Sequence, residues 1–189
     1  MSQPISFLLH LLFFLVIAGP SSANNVVNIP MADPDMIQTI CRFNDDPAAC
    51  TNILTSDPQS KTCDLPGLAR IAFDHAKTAI KETWDYIHRQ YVRTTEPRLH
   101  YMFYYCSRRY NYAKGYVVEA MEDLNSGAYS PMIENSVLIG EAAMICEDVF
   151  KEAPSRPSPL TDRNKLVYCL GQIGSAVGNI LLYPLPPNP

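Results

Sequence analysis

The chain has 189 residues, 47% hydrophobic and 18% charged, and 15 Lys or Arg against 19 Asp or Glu give a formal net charge of −4. That apolar content can repay the entropy of ordering one domain of this size, which excludes a disordered chain. The mildly acidic balance lacks the basic excess that a phosphate backbone demands, which argues against nucleic-acid binding.

Ile5 to Ala18 is a nearly unbroken apolar run, followed by the breakers Gly19-Pro20 and the small residues Ser21-Ser22-Ala23. This is the pattern of a cleaved signal peptide, expected over residues 1–23, although Met1-Ser2-Gln3-Pro4 supplies no Lys or Arg. The run is too short to span a bilayer comfortably, so no membrane contact is expected after cleavage. Residues 24–33 read as a flexible leader. Six cysteines at 41, 50, 63, 106, 146 and 169 fit an oxidising, secreted context. None forms a C-x-x-C pair and no His stands beside them at ligand spacing, so no metal is expected. No Asn-x-Ser/Thr site with a permitted middle residue occurs.

Pro34-Asp35 opens a short helix running to Cys41. Asn44-Asp45-Asp46-Pro47 is a turn, and a second short helix follows to Leu54. Cysteines 41 and 50 flank that turn, and closing so small a loop stabilises by roughly 3 kcal/mol in the chain-entropy model. Four longer segments come next. The first opens at Asp64-Leu65-Pro66 and carries Leu68, Ala72, Ala76, Ala79, Thr83 and Ile87 at steps of three and four. The second begins after Thr95-Glu96-Pro97 with Leu99, Phe103, Cys106, Tyr110, Ala113, Val117, Ala120 and Leu124, and ends at Asn125-Ser126-Gly127. The third starts with Ser130 as N-cap and Pro131 as first helical residue. Tyr129, Met132, Ser136, Ile139, Ala143, Cys146 and Phe150 form its seam. After a proline-rich loop over 153–159, the fourth begins at Thr161-Asp162 with Leu166, Cys169, Ile173, Ala176 and Ile180. Its Gly171, Gly174 and Gly178 mark places where a neighbouring helix comes close. No segment alternates with period two. The expected fold class is all-α: an N-terminal helical hairpin over 34–57, then an up-down-up-down four-helix bundle over 64–183 and a Pro-rich tail at 184–189.

Helix geometry constrains the cysteines. Cys106 lies ~13 Å from the start of its helix and Cys146 ~9 Å from the end of the next, at one pole of the bundle, so a bridge between them is feasible. Cys169 stands at a similar height and competes for Cys146. Cys63 lies at the other pole, about 25 Å from Cys169, beyond disulfide reach. Two bridges and two free thiols, Cys63 and Cys169, are expected, with Cys63 also able to join another molecule.

No catalytic residue is assigned. Asp74-His75 and Asp85 with His88 are ordinary neighbours on an exposed helix, and Glu147-Asp148 diverge on theirs. No phosphate-binding loop, G-x-S-x-G or H-E-x-x-H occurs, and no cofactor is expected. Tyr101, Tyr104, Tyr105, Tyr112 and Tyr116 fall off the second helix's seam, with Arg108-Arg109 among them. Tyrosine and arginine together are the composition of protein-binding hot spots.

The Cys41-x8-Cys50 clasp, Leu54-Thr55-Ser56-Asp57-Pro58-Gln59-Ser60 and Asp64-Leu65-x-Gly67-Leu68 stand in a specific order. Cys106-Ser107-x-x-Tyr110, Ala113-Lys114-x-x-Val117-x-Glu119-Ala120, Cys146-Glu147-Asp148-x-Phe150 and Ser158-Pro159-Leu160-Thr161 continue it. Together they resemble the plant invertase inhibitor and pectin methylesterase inhibitor family, especially the invertase-inhibitor-like branch that includes pollen allergens of plane trees. The resemblance implies an inhibitor domain over 34–183, bridges Cys41–Cys50 and Cys106–Cys146, and secretion to the apoplast or the vacuole. It implies no enzyme activity but 1:1 inhibition of a pectin methylesterase or an acid invertase by occluding its cleft. Invertase inhibitors often carry Pro-Lys-Phe near the third bundle helix, where this chain has Gly127-Ala128-Tyr129-Ser130-Pro131-Met132. Methylesterase inhibitors commonly place acidic residues after the second-helix cysteine, where this chain has Arg108, Tyr112 and Gly115. Ser126-Gly127-x-Tyr129 looks more like the methylesterase inhibitors, which are therefore the expected type. The expected contact residues are Arg108, Arg109, Tyr112, Tyr116, Glu119 and Tyr129. Rival readings are a small-ligand carrier, using space left by small seam residues, and a secreted helical signalling protein.

Overall fold

A computed structural model describes residues 34–184. The expected signal peptide, the leader and the tail after Pro184 lie outside the described residues. In chain order the elements are α1 (Pro34–Cys41), α2 (Pro47–Ser56), a 3₁₀ turn (Pro58–Lys61), α3 (Leu65–Arg93), α4 (Pro97–Ser126), α5 (Tyr129–Val149) and α6 (Thr161–Leu182), with no strand among the described residues.

One local rule starts four of these elements. Asp46, Asp57, Asp64 and Glu96 each place a side-chain oxygen on a backbone N–H of the opening turn, and a proline stands in that turn each time. The carboxylate satisfies donors that lack an intrahelical partner and meets the positive end of the helix dipole, while proline gives up an N–H that would go unused. Gly127 ends α4 at φ 73°, and the Ala128 N–H returns 2.9 Å to the Asp123 carbonyl. That left-handed turn is one that glycine adopts without steric cost. It also corrects an expectation. The chain reverses so tightly that Ala128 is already the cap of α5, its carbonyl accepting from Met132 N–H, and Ser130 is the second helical residue rather than the N-cap.

α4 packs between α3 and α5, and α6 closes the bundle against α5 and α3. The seam residues of α3, α4 and α5 are buried, apart from Leu99 and Tyr129, which are half-covered. In α6 the expected stripe is off by one at its start. Leu166 is exposed, while Asn164 and Val167 point inward. The cause is a buried polar chain. Tyr110 Oη donates to Asn164 Oδ1 at 2.7 Å, Asn164 Nδ2 donates to Glu147 Oε2 at 2.6 Å, and Thr161 Oγ1 donates to Glu147 Oε1 at 2.6 Å. Thr83 of α3 also hydrogen-bonds the Tyr110 oxygen. All four bundle helices are thereby tied at one level, and Asn164 turns the start of α6 to suit. Burial raises the Tyr110 phenol above its ordinary range, so it remains a donor.

The glycines of α6 do meet close neighbours. A Cβ on Gly171 would stand 2.6 Å from the Ser136 carbonyl oxygen and 2.9 Å from the Gly140 nitrogen, so α5 and α6 touch backbone to backbone there. On α6, Gly174 faces Phe73 and Ser136 while Gly178 faces Met132 and Ile133. Two disulfides complete the framework. Cys41–Cys50 joins α1 to α2 and Cys106–Cys146 joins α4 to α5, with α-carbons 5.5 and 4.8 Å apart. The second closes a separation of 40 residues, which contributes about 4 kcal/mol in the chain-entropy model.

Helices of two turns do not persist alone in water. The α1–α2 hairpin is held by its clasp and by a seat on α6. Asn44 Nδ2 donates to the Cys169 carbonyl at 3.0 Å, Tyr168 Oη donates to Asp45 Oδ2 at 2.9 Å, and Asp45 N–H donates to Gln172 Oε1 at 3.1 Å. Ile40 and Leu54 are fully buried, each contributing roughly 1.5–3 kcal/mol, enough to outweigh the cost of nucleating so short a helix.

Candidate functional site

The outward side of α4 carries an ordered set of aromatic and cationic side chains. A side chain on a helix meets those four residues away, and two such rows run down α4. In the outer row Arg108 Nη1 donates to Tyr104 Oη at 3.3 Å and Arg108 Nη2 to Tyr112 Oη at 3.1 Å. Both phenol oxygens hold the guanidinium more firmly charged than usual. In the second row, Arg109 donates to Tyr105 Oη at 2.8 Å and lies over the Tyr105 ring, 4.9 Å from its centroid, while Tyr101 tilts against Tyr105 at 6.1 Å. Tyr101, Tyr104 and Tyr112 are each close to half exposed. Tyr104, Arg108 and Tyr112 are thus held by one another on the exposed face, while Tyr105 also packs against the core.

Of the expected contact residues, Arg108 and Tyr112 are bonded within the first row and Arg109 belongs to the second. Tyr116 and Tyr129 are half-buried and pack against the core, and Glu119 is exposed beyond the rows toward the C-terminal end of α4. Tyr104 and Tyr105 complete the two rows. Their i, i+4 spacing to Arg108 and Arg109 is the sequence signal that could have found that pairing. The α3 partners were not legible: Lys114 lies 3.8 Å over the ring of Trp84, and Tyr91 packs on His100 with centroids 4.1 Å apart.

The other groups that could carry chemistry have structural partners. His75 Nε2 faces Asp57 at 3.7 Å and not Asp74, and His88 stacks on Trp84. Glu147 turns inward to Thr161 and Asn164 while Asp148 turns outward to Lys151. Among the described residues no three His, Cys, Asp or Glu side chains converge as a metal site. Two cysteines are unbridged: Cys63 is half-buried, and Cys169 lies under the hairpin turn, where burial pushes its thiol up to about 11. Two surface clefts, of about 680 and 780 Å³, flank the hairpin turn. One is lined by Phe43, Val137 and Tyr183, the other by Ile53, Leu166 and Lys165.

Residues 35–177 match the family described as plant invertase/pectin methylesterase inhibitor. The chain belongs to that family. A pectinesterase inhibitor of Actinidia deliciosa is 28% identical over 176 residues, covering 93% of this chain and 94% of the relative. A cell wall/vacuolar inhibitor of fructosidase from Arabidopsis thaliana is 27% identical over 148 residues, 78% of this chain and 69% of the relative. The crystal structure of a mutant form of an Arabidopsis pectin methylesterase inhibitor superposes with a TM-score of 0.69 at 24% identity, over 80% of this chain and 98% of that one, which shows the shared helical fold. Members of this inhibitor family are not enzymes.

Proposed function

We propose that this inhibitor is secreted and blocks a pectin methylesterase stoichiometrically, laying the outer side of α4 and the start of α5 over the enzyme's cleft. The observation that carries the reading is the pinned Tyr104–Arg108–Tyr112 row, with Arg109, Tyr116, Glu119 and Tyr129 around it. Charge favours the methylesterase among the two targets. Residues 115–152 carry eight Asp or Glu against one Lys, and Glu119 and Glu122 on α4 and Glu134 on α5 are exposed among them. A cleft that accepts a polymer of carboxylate-bearing sugars suits such a face, whereas an invertase cleft accepts a neutral disaccharide. The fructosidase-inhibitor relative supports acid invertase as the second reading.

The test is titration of the purified protein against both enzymes across the acidic-to-neutral range. Inhibition of the methylesterase at a 1:1 end point is expected. Replacing Arg108 and Tyr112 together by Ala should weaken it about tenfold or more, with the melting temperature unchanged. Activity of both enzymes untouched at micromolar inhibitor would overturn the reading.

A further inference from the structure

The charge of this acidic chain is sharply divided. Residues 81–114, the distal part of α3 and the first half of α4, hold seven Lys or Arg against three Asp or Glu. Two of those three carboxylates are already engaged: Asp85 accepts from Lys81 Nζ at 2.7 Å, and Glu96 accepts from Arg156 Nη1 at 2.7 Å as well as from its helix cap. Cations from both helices gather around Asp85. The Lys81 hydrogen bond holds its carboxyl below the usual range, and Arg89 and Lys114 lower it further.

These cations are laid out with rings between them. Trp84 stacks on His88 with centroids 5.4 Å apart and carries Lys114 over its ring; further along, Tyr91 meets His100 and also Tyr104 at 6.3 Å, and Tyr104 accepts from Arg108. From Lys81 to Arg93 the strip runs about 18 Å along α3. A single small anion would engage one or two of these groups. An extended polyanion with regularly spaced charges engages several of them along the strip, and the half-exposed Tyr104 ring suits the C–H face of a sugar ring.

We propose that the α3–α4 strip between Lys81 and Lys114 is a docking surface for a linear polymer of carboxylate-bearing sugars, the de-esterified product of a pectin methylesterase. This rests on the methylesterase reading for the identity of the polymer. Holding the product chain would keep the inhibitor concentrated where the enzyme works. The strip shares Tyr104, Arg108 and Arg109 with the proposed enzyme-facing surface, while Lys81, Arg89, Arg93 and Lys114 lie outside it.

The experiment is affinity electrophoresis of the protein through gels containing polygalacturonate, fully methyl-esterified pectin or dextran sulfate, with light scattering to record self-association. Retardation by polygalacturonate, weakened by salt and absent with the esterified polymer, is expected. Arg89→Gln with Lys114→Gln should reduce that affinity about tenfold while inhibition of the methylesterase and the melting temperature stay unchanged. Arg89→Gln alone, which leaves the Lys114–Trp84 contact in place, should give a smaller loss in the same direction. Equal retardation by the esterified polymer or by dextran sulfate, unchanged binding in the double variant, or self-association in place of polymer binding would overturn the proposal. Retardation by polygalacturonate without inhibition of any methylesterase would sink the functional reading and leave the strip standing; inhibition without retardation would do the reverse.

Discussion

Two edges of the bundle, α5 against α6 and α3 against α4, join neighbouring antiparallel helices in opposite ways. Across the first, Gly140 and Gly171 bring the two backbones together, with no side chain of either glycine between them. Across the second, Trp84, Tyr91, His100, Tyr104 and Lys114 lie between and over the helices, and part of each ring remains toward solvent. A close edge has little freedom to vary, because any added atom meets backbone that cannot move aside. An edge built from large amphipathic side chains can hold the helices and still display chemistry. The contrast teaches that close backbone packing and the display of aromatic and cationic side chains have been divided between opposite sides of a single bundle.

The sharpest way to break the comparison is Gly171→Val. Its new side chain would meet the Ser136 carbonyl and the Gly140 backbone, and a loss of about 3 kcal/mol is expected in denaturant unfolding. A neutral result would mean that the α5–α6 edge is not the rigid one. Tyr110→Phe should cost about 1–2 kcal/mol, because Asn164 Oδ1 loses its buried donor, and it tests whether the level shared by all four helices is fixed by that polar chain. On the open side the sign reverses. Nothing lies within 4 Å of a Cβ on Gly115, so Gly115→Ala should stabilise by about 0.5–1 kcal/mol through helix propensity alone.

The smallest effect concerns pH at the start of α4. Burial pushes the Glu96 carboxyl up, but the Leu99 and Arg98 N–H groups and Arg156 together outweigh it and hold the carboxyl below its ordinary range. A depressed folded pKa means that its stabilising contribution is present above the unfolded carboxylate value and is lost as pH falls through the folded one. The gap in melting temperature between the wild type and Glu96→Gln should therefore narrow on acidification. A gap that widened would show the assigned direction to be wrong.

Helix starts were legible because their causes are local. Asp64 with Pro66 is cap and first turn in the sequence as in the structure, and the start of α4 falls at the Glu96-Pro97 step where the sequence places it to within one residue. The seam of α4 was legible because a step of four and three has one geometric meaning on a helix. The errors arose where a distant residue intervened. Ser130 reads as a cap until the Gly127 turn brings Ala128 into that place, and Leu166 reads as seam until Asn164 is drawn inward by Tyr110 and Glu147. The expected contact set shows the same limit. Arg108 and Tyr112 were legible as residues off the seam of α4, but that Tyr116 and Tyr129 are partly spent on the core depends on the neighbouring helices.

By itself, the sequence determined an all-helical chain, the order of its segments, the face each buries and the family motifs that mark an inhibitor, since all of these follow from near-neighbour sterics and periodic burial. Only the tertiary structure decided which helices meet through glycine and which through aromatic rings. It also decided which carboxylates face inward and how cations from two helices gather on one strip. Those outcomes depend on distances between residues far apart in the chain, and such distances exist only once the helices have packed.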